Sequence, residues 1–188
     1  MKRAILIAIT VLAASTAAVA HAEERSLTVV LAGGAEPDSI AIELSPDGRS
    51  YAIDSIAPLE VGGSVCSHPE GNPDALLCEA APIAGFEVNA GPGNDSVILA
   101  RDVPVPVTLR GGAGDDKLIG GAGADKLIGG PGNDVLVGRA GDDWLYGGPG
   151  DDRLVGCSGD DLLRGGSGLN TMLGGPGNNE VSARAFVR

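Results

Sequence analysis

Bulky and imidazole side chains are scarce in this chain. Its 188 residues include one tryptophan, two tyrosines and two phenylalanines, too few for an ordinary core built on large side chains. Histidine occurs twice, at His21 and His68, which leaves no set for imidazole-based catalysis. Basic residues are outnumbered by acidic ones, 13 against 25, for a net charge of −12. The chain therefore lacks the basic footprint that nucleic acid or an anionic lipid surface attracts. Beyond the first twenty residues no apolar run is long enough to span a membrane. Glycine, by contrast, is abundant at 31 residues, more than twice the usual share of ~7%. Prolines do not recur at every third residue, so the chain is not collagen. Glycine and acid together imply either disorder or a periodic structure.

The first 22 residues have the layout of a secretory signal peptide. Lys2 and Arg3 precede an uncharged stretch from Ala4 to Ala20, and Ala20-His21-Ala22 is a small-x-small cleavage site. The predicted location is extracellular, with no membrane insertion. Export also governs the cysteines. Cys66 and Cys78 lie in a turn-rich stretch and are expected to form a disulfide. Two cysteines and His68 are a poor zinc set. Cys157 is left over, either as a free thiol or as an intermolecular bridge.

From Gly111 a nine-residue unit repeats eight times without a gap, to Ser182. Positions 1 and 4 are glycine in all eight units. Position 6 is Asp116, Asp125, Asp134, Asp143, Asp152 and Asp161, then Asn170 and Asn179. Position 8 is leucine six times, then Met172 and Val181. Of the 31 glycines, 22 lie in this array. Each fixed position has a physical reason. Glycines allow the backbone to turn through positive φ and leave carbonyl oxygens uncovered. The aspartate adds a carboxylate to those carbonyls. Hard oxygen donors without sulfur or imidazole suit Ca²⁺ rather than zinc or copper. Positions 7 to 9 form a short strand, with position 8 inward and positions 7 and 9 outward. One inward leucine per nine residues becomes a core only when units stack.

These units resemble the RTX calcium-binding repeats, G-G-x-G-x-D-x-U-x with U apolar. The resemblance implies an all-β fold: a right-handed parallel β-roll, or β-solenoid, in which unit i stacks on unit i+2. It places calcium between stacked loops, at the aspartate pairs 116/134, 125/143, 134/152 and 143/161. The pairs 152/170 and 161/179 have asparagine in one place and are expected to be weaker sites. An incomplete unit, Ala90 to Ile98, precedes the array and offers Asp95 as a further ligand. The roll is thus expected over residues 90–182, with 183–188 as a tail.

Residues 23–89 alternate short apolar runs with turn residues. Strands are predicted at Leu27–Ala32, Ile40–Leu44, Tyr51–Ile56 and Ile83–Val88, with a turn at Ser45-Pro46-Asp47-Gly48. This segment reads as a small β-rich N-terminal cap on the solenoid. The stretch Gly33 to Ala41 partly matches the unit, with Asp38 at position 6 but Glu36 at position 4; it is either an eroded unit or, the favoured reading, a turn before a strand. Val103 to Val107 is expected as an outer strand or part of a longer coil.

No H-E-x-x-H, G-x-S-x-G, Walker or EF-hand pattern is present, and no enzyme is expected. The sequence reads as a secreted calcium-binding protein whose repeats fold on the ion. The alternative is a calcium-dependent adhesin or other partner-binding solenoid. For that reading, Ile119, Val137, Val155 and Leu173 would align in one outward file, and Trp144, Tyr146, Leu162 and Ile128 would cluster. An ice-binding face is disfavoured because position 3 carries no threonine. A protein or surface partner remains open at this stage.

Overall fold

A computed structural model describes residues 27–32, 37–55, 66–67, 69, 75–79 and 83–182. The expected signal peptide, His68 and the tail lie outside the described residues. All regular elements among the described residues are strands. The N-terminal part carries β1 (Leu27–Ala32), β2 (Ser39–Leu44), β3 (Ser50–Ser55), β4 (Cys66–Ser67), β5 (Ala75–Glu79), β6 (Ile83–Pro92) and β7 (Ser96–Leu99). The array carries β8 (Val107–Ala113), β9 (Lys117–Ile119), β10 (Lys126–Ile128), β11 (Val135–Ala140) and β12 (Trp144–Pro149). It ends with β13 (Arg153–Ser158), β14 (Leu162–Ser167), β15 (Thr171–Leu173) and β16 (Glu180–Ser182).

These strands form two sheets that alternate along the chain. One runs β1-β6-β8-β10-β12-β14-β16 and the other β15-β13-β11-β9-β7-β2-β3-β5-β4. Through the array every pairing is parallel with an eighteen-residue step, as in Leu127 with Leu145 and Leu145 with Leu163. Two nonapeptides therefore make one coil, and the fold is a β-solenoid of about five turns.

The alternation of strand side chains explains the core. Leu118, Leu127, Leu136, Leu145, Leu154 and Leu163, all at position 8, are each 0% exposed. Burial of such a side chain contributes about 1.5–3 kcal/mol, and stacking every coil supplies two of them. The column weakens at the last coil, where Met172 is half-buried and Val181 is exposed.

The coils reach further toward the N-terminus than the repeat does. Strand β1 pairs in parallel with β6, and β2 with β7. Between β2 and β6 the chain leaves the coil. Strands β3, β5 and β4 extend the second sheet by antiparallel pairing. The β2–β3 turn is set locally: Gly48 N–H donates to Ser45 O at 2.8 Å, and Ser45 Oγ donates to Asp47 Oδ1 at 2.6 Å. That hairpin brings Tyr51 edge-on to Phe86 at 5.0 Å between ring centres, which concentrates two of the few aromatics in the first coils. Val103 is buried, yet the chain from 103 to 106 is not a strand, and only Val107 enters β8. Pro104 and Pro106, with Val103 and Val105, form an irregular spacer, so of the two expectations the coil is found and not the strand.

Candidate metal centre

Positions 4 to 6 of each unit form the turns between the two sheets, so stacking the units lines up their aspartates in two files. One file contains Asp95, Asp116, Asp134, Asp152 and Asn170. The other contains Asp125, Asp143, Asp161 and Asn179. Asp95, Asp116, Asp125, Asp134, Asp143, Asp152 and Asp161 are all 1–2% exposed, an unusual burial for carboxylates.

One oxygen of each carboxylate is committed to the chain. Asp134 Oδ1 accepts from Asp116 N–H at 2.8 Å, and Asp152 Oδ1 from Asp134 N–H at 2.9 Å. The second file repeats this, with Asp143 Oδ1 accepting from Asp125 N–H at 2.8 Å and Asp161 Oδ1 from Asp143 N–H at 3.0 Å. The two carboxylates of a stacked pair are therefore linked through the main chain rather than set face to face.

The other oxygen is left over. Oδ2 of Asp95, Asp116, Asp134, Asp143, Asp152 and Asp161 is buried with no hydrogen-bond partner. Asp125 differs, because its Oδ2 accepts from Gly121 N–H at 2.7 Å. Within the array, glycine at position 1 leaves room for this oxygen, whereas the incomplete unit before it has Ala90 there. A Cβ on Gly111 would lie 2.1 Å from Asp116 Oδ2 and 2.8 Å from the carbonyl oxygen of Gly129, one coil further on. At Gly147 the corresponding atoms are Asp152 Oδ2 at 2.2 Å and Gly165 O at 2.6 Å. A carboxylate oxygen and a carbonyl oxygen thus converge on the same small space, once per unit.

Buried carboxylates with an unsatisfied oxygen resist ionisation. Desolvation pushes Asp134 and Asp143 up to about 7, opposed by their main-chain hydrogen bonds and reinforced by neighbouring carboxylates. Asp116 and Asp125 are raised to about 6, also by burial first. Asp95, Asp152 and Asp161 shift upward for the same reason.

These donors suit a hard divalent cation. Among the described residues no group of three or more His, Cys, Asp or Glu side chains could hold a metal, so any ion must draw on main-chain carbonyls as well. Carboxylate plus carbonyl is the donor set for calcium. The asparagines that close each file are different. Asn170 and Asn179 each give Oδ1 to the ladder, to Asp152 N–H at 2.8 Å and Asp161 N–H at 2.9 Å. Their Nδ2 atoms stand beside Gly165 and Gly174, in the place where the aspartates carry Oδ2. An amide N–H donates and does not ligate a cation.

A family model described as RTX calcium-binding nonapeptide repeat (4 copies) matches residues 108–136, 128–163 and 146–181. Residues 108–181 are RTX calcium-binding repeats. Comparison with curated proteins and with solved structures gives no match. The RTX match begins just inside β8, so the coils built on β1, β2, β6 and β7 lie outside the matched residues.

Two features of this RTX roll are not evident from the position-6 pattern. Asp38 belongs to the first file, since its N–H donates to Asp95 Oδ1 at 2.7 Å; it does not merely sit in a turn. Position 5 carries a second ladder, on the exposed rim and in the opposite sense. Asn133 N–H donates to Asp115 Oδ1 and Asp151 N–H to Asn133 Oδ1, both at 2.8 Å. The recurrence of Asp or Asn at position 5 was the available signal. Cys157 is a free thiol at position 2 with φ +82°, in register with Arg139 at φ +86°.

Proposed function

We propose that this chain is a secreted, non-enzymatic calcium-binding protein whose RTX repeats fold on the ion. The observation that carries this reading is the row of buried Oδ2 atoms without partners; those of Asp116, Asp134, Asp143, Asp152 and Asp161 each lie against a position-1 glycine. The ligands are Oδ2 of Asp95, Asp116, Asp125, Asp134, Asp143, Asp152 and Asp161, with position-1 carbonyls such as Gly129 O and Gly165 O. Asn170 and Asn179 close the files. Bound calcium supplies positive charge to carboxylates that cannot remain ionised and buried alone. The array holds the loops in place through the Oδ1 ladder, so ligand geometry and coil stacking depend on the same residues. Binding free energy then becomes folding free energy.

The Lys2-Arg3 start and the Ala20-His21-Ala22 motif support export. Calcium concentration outside the cell matches sites of the extracellular class, with Kd of about 10⁻⁴–10⁻³ M. Strands β3, β5 and β4 serve as the N-terminal cap by extending one sheet past the first coil. Cys66 and Cys78 stand opposite each other in register, which supports a disulfide between them. Calorimetric titration of residues 23–188 with Ca²⁺, Mg²⁺ and Zn²⁺ tests this function. Saturable binding of Ca²⁺ to several sites is expected, and binding of Zn²⁺ alone would refute it.

A partner-binding role has its own observation. Ile119, Val137, Val155 and Leu173 are in register on one outward face, a continuous apolar file of the kind that marks contact surfaces. Val137→Lys with Val155→Lys is expected to leave calcium binding intact and to abolish any calcium-dependent association seen by sedimentation.

A further inference from the structure

The second aspartate file stops abruptly at its N-terminal end. Below Asp125 the register position belongs to Val107, whose N–H donates to Asp125 Oδ1 at 3.0 Å. The ladder continues through the main chain, but the step has no carboxylate. Its carbonyls are still present. Leu99 and Gly120 lie at position 1 of successive coils, because β7 pairs with β9 so that Ile98 faces Ile119. At regular steps this carbonyl is paired along the stack, as Gly129 O is by Gly112 N–H at 2.9 Å. For Gly120 O the corresponding N–H is that of Ala100, which donates instead to Ile42 O at 2.7 Å.

Arg139 fills this place. It sits at position 2, where six of the eight units have glycine. Its backbone holds φ +86°, a left-handed conformation that non-glycine residues rarely adopt. From there the side chain reaches back toward the preceding coils. Arg139 Nη1 donates to Leu99 O and, at 2.9 Å, to Gly120 O. Its charge also acts favourably on Asp125, next in the file.

We propose that the Arg139 guanidinium is a built-in cation that replaces calcium at the first step of the second file. This rests on the calcium reading above. A fixed positive charge bridges the same position-1 carbonyls of two coils and needs no carboxylate partner. The first file has no such plug: it continues from Asp116 to Asp95 and Asp38 with carboxylates at each step. The two sides of the roll thus differ in their need for the ion, and the spacer coil is joined to the array without one.

Ion counting by calorimetry on the full mature chain, with wild type as reference, tests this. Val107→Asp alone is expected to add no ion, because Arg139 already occupies the step. Val107→Asp combined with Arg139→Gly is expected to add one. A gained ion in the single variant, or none in the double variant, overturns the proposal. Arg139→Met provides a second test that leaves Val107 in the core. Its ion count should equal that of wild type, while the calcium concentration at half-folding rises several-fold; an unchanged titration overturns the proposal. Absence of calcium binding by the wild type itself would instead refute the underlying function.

Discussion

Asp134 Oδ1 accepts a 2.8 Å hydrogen bond from the N–H of Asp116, eighteen residues earlier, while Asp134 Oδ2 is buried with no partner. One side chain thus fixes the stacking of two coils with one atom and offers the other to a cation. The two roles can be separated by substitution.

Asp134→Asn retains an Oδ1 acceptor and removes the charge. With chelator present, the variant is expected to melt higher than wild type, because a buried carboxylate without a counter-charge is lost. With calcium saturating, it is expected to melt lower and to bind one ion fewer. Thermal unfolding followed by circular dichroism in both conditions checks the reversal of sign. The same sign in both conditions would contradict it.

The raised carboxylates set a pH dependence. Asp134 and Asp143 titrate near 7 in the metal-free fold, against about 3.9 in an unfolded chain. The folded state binds more protons between those values, so metal-free stability is full below about pH 4 and is lost as pH rises toward 7. Protons compete with calcium over the same range. In chelator the folded β signal is therefore expected to be stronger at pH 5 than at pH 7.5. Calcium affinity at pH 7.5 should exceed that at pH 5.5 by at least several-fold.

Gly129→Ala places a methyl carbon 2.1 Å from Asp134 Oδ2, closer than any real contact. Loss of one ion and a lower calcium-dependent melting temperature are expected. Gly48→Ala is the matched control. Its backbone, unlike that of Gly129, has positive φ, at +68°, and nothing lies within 4 Å of the added carbon. It should cost only backbone strain, of the order of 1 kcal/mol, and leave the ion count unchanged.

Leu136→Ala opens a cavity in a column where each leucine touches the coil above and below. A loss of about 2–5 kcal/mol is expected from chemical denaturation in calcium. Val181→Ala, at the exposed end of the same position, should fall within about 0.5 kcal/mol of wild type.

If Cys66 and Cys78 are joined, thiol titration of the denatured, unreduced chain should find one reactive thiol, Cys157. Three thiols would exclude the bridge.

Much of this architecture is legible in the sequence because a solenoid repeats the same local solution. The nine-residue period assigns Leu118 and Leu127 to the core and Asp116 and Asp125 to the loops, while the stacking of alternate units follows from the resemblance to RTX repeats. What escapes is whatever breaks the period. Asp38 stacks on Asp95 across 57 residues, since the excursion through β3, β4 and β5 separates them; no spacing rule reveals that neighbour. Asp95 itself stands 21 residues from Asp116 instead of 18, owing to the spacer. The main-chain use of Oδ1 is also invisible in a motif, which names the residue and not the atom. Arg139 reads in sequence only as a missing glycine, and its function lies in two carbonyls supplied by distant turns.

On the proposed function, the carboxylate files require calcium to fold. Circular dichroism of the mature chain should be recorded in excess chelator and then through a calcium titration at pH 7.5. The account predicts a largely disordered spectrum in chelator and a cooperative rise of β signal as calcium reaches the 10⁻⁴–10⁻³ M range. A β spectrum of full strength in chelator, unchanged by calcium, would contradict it.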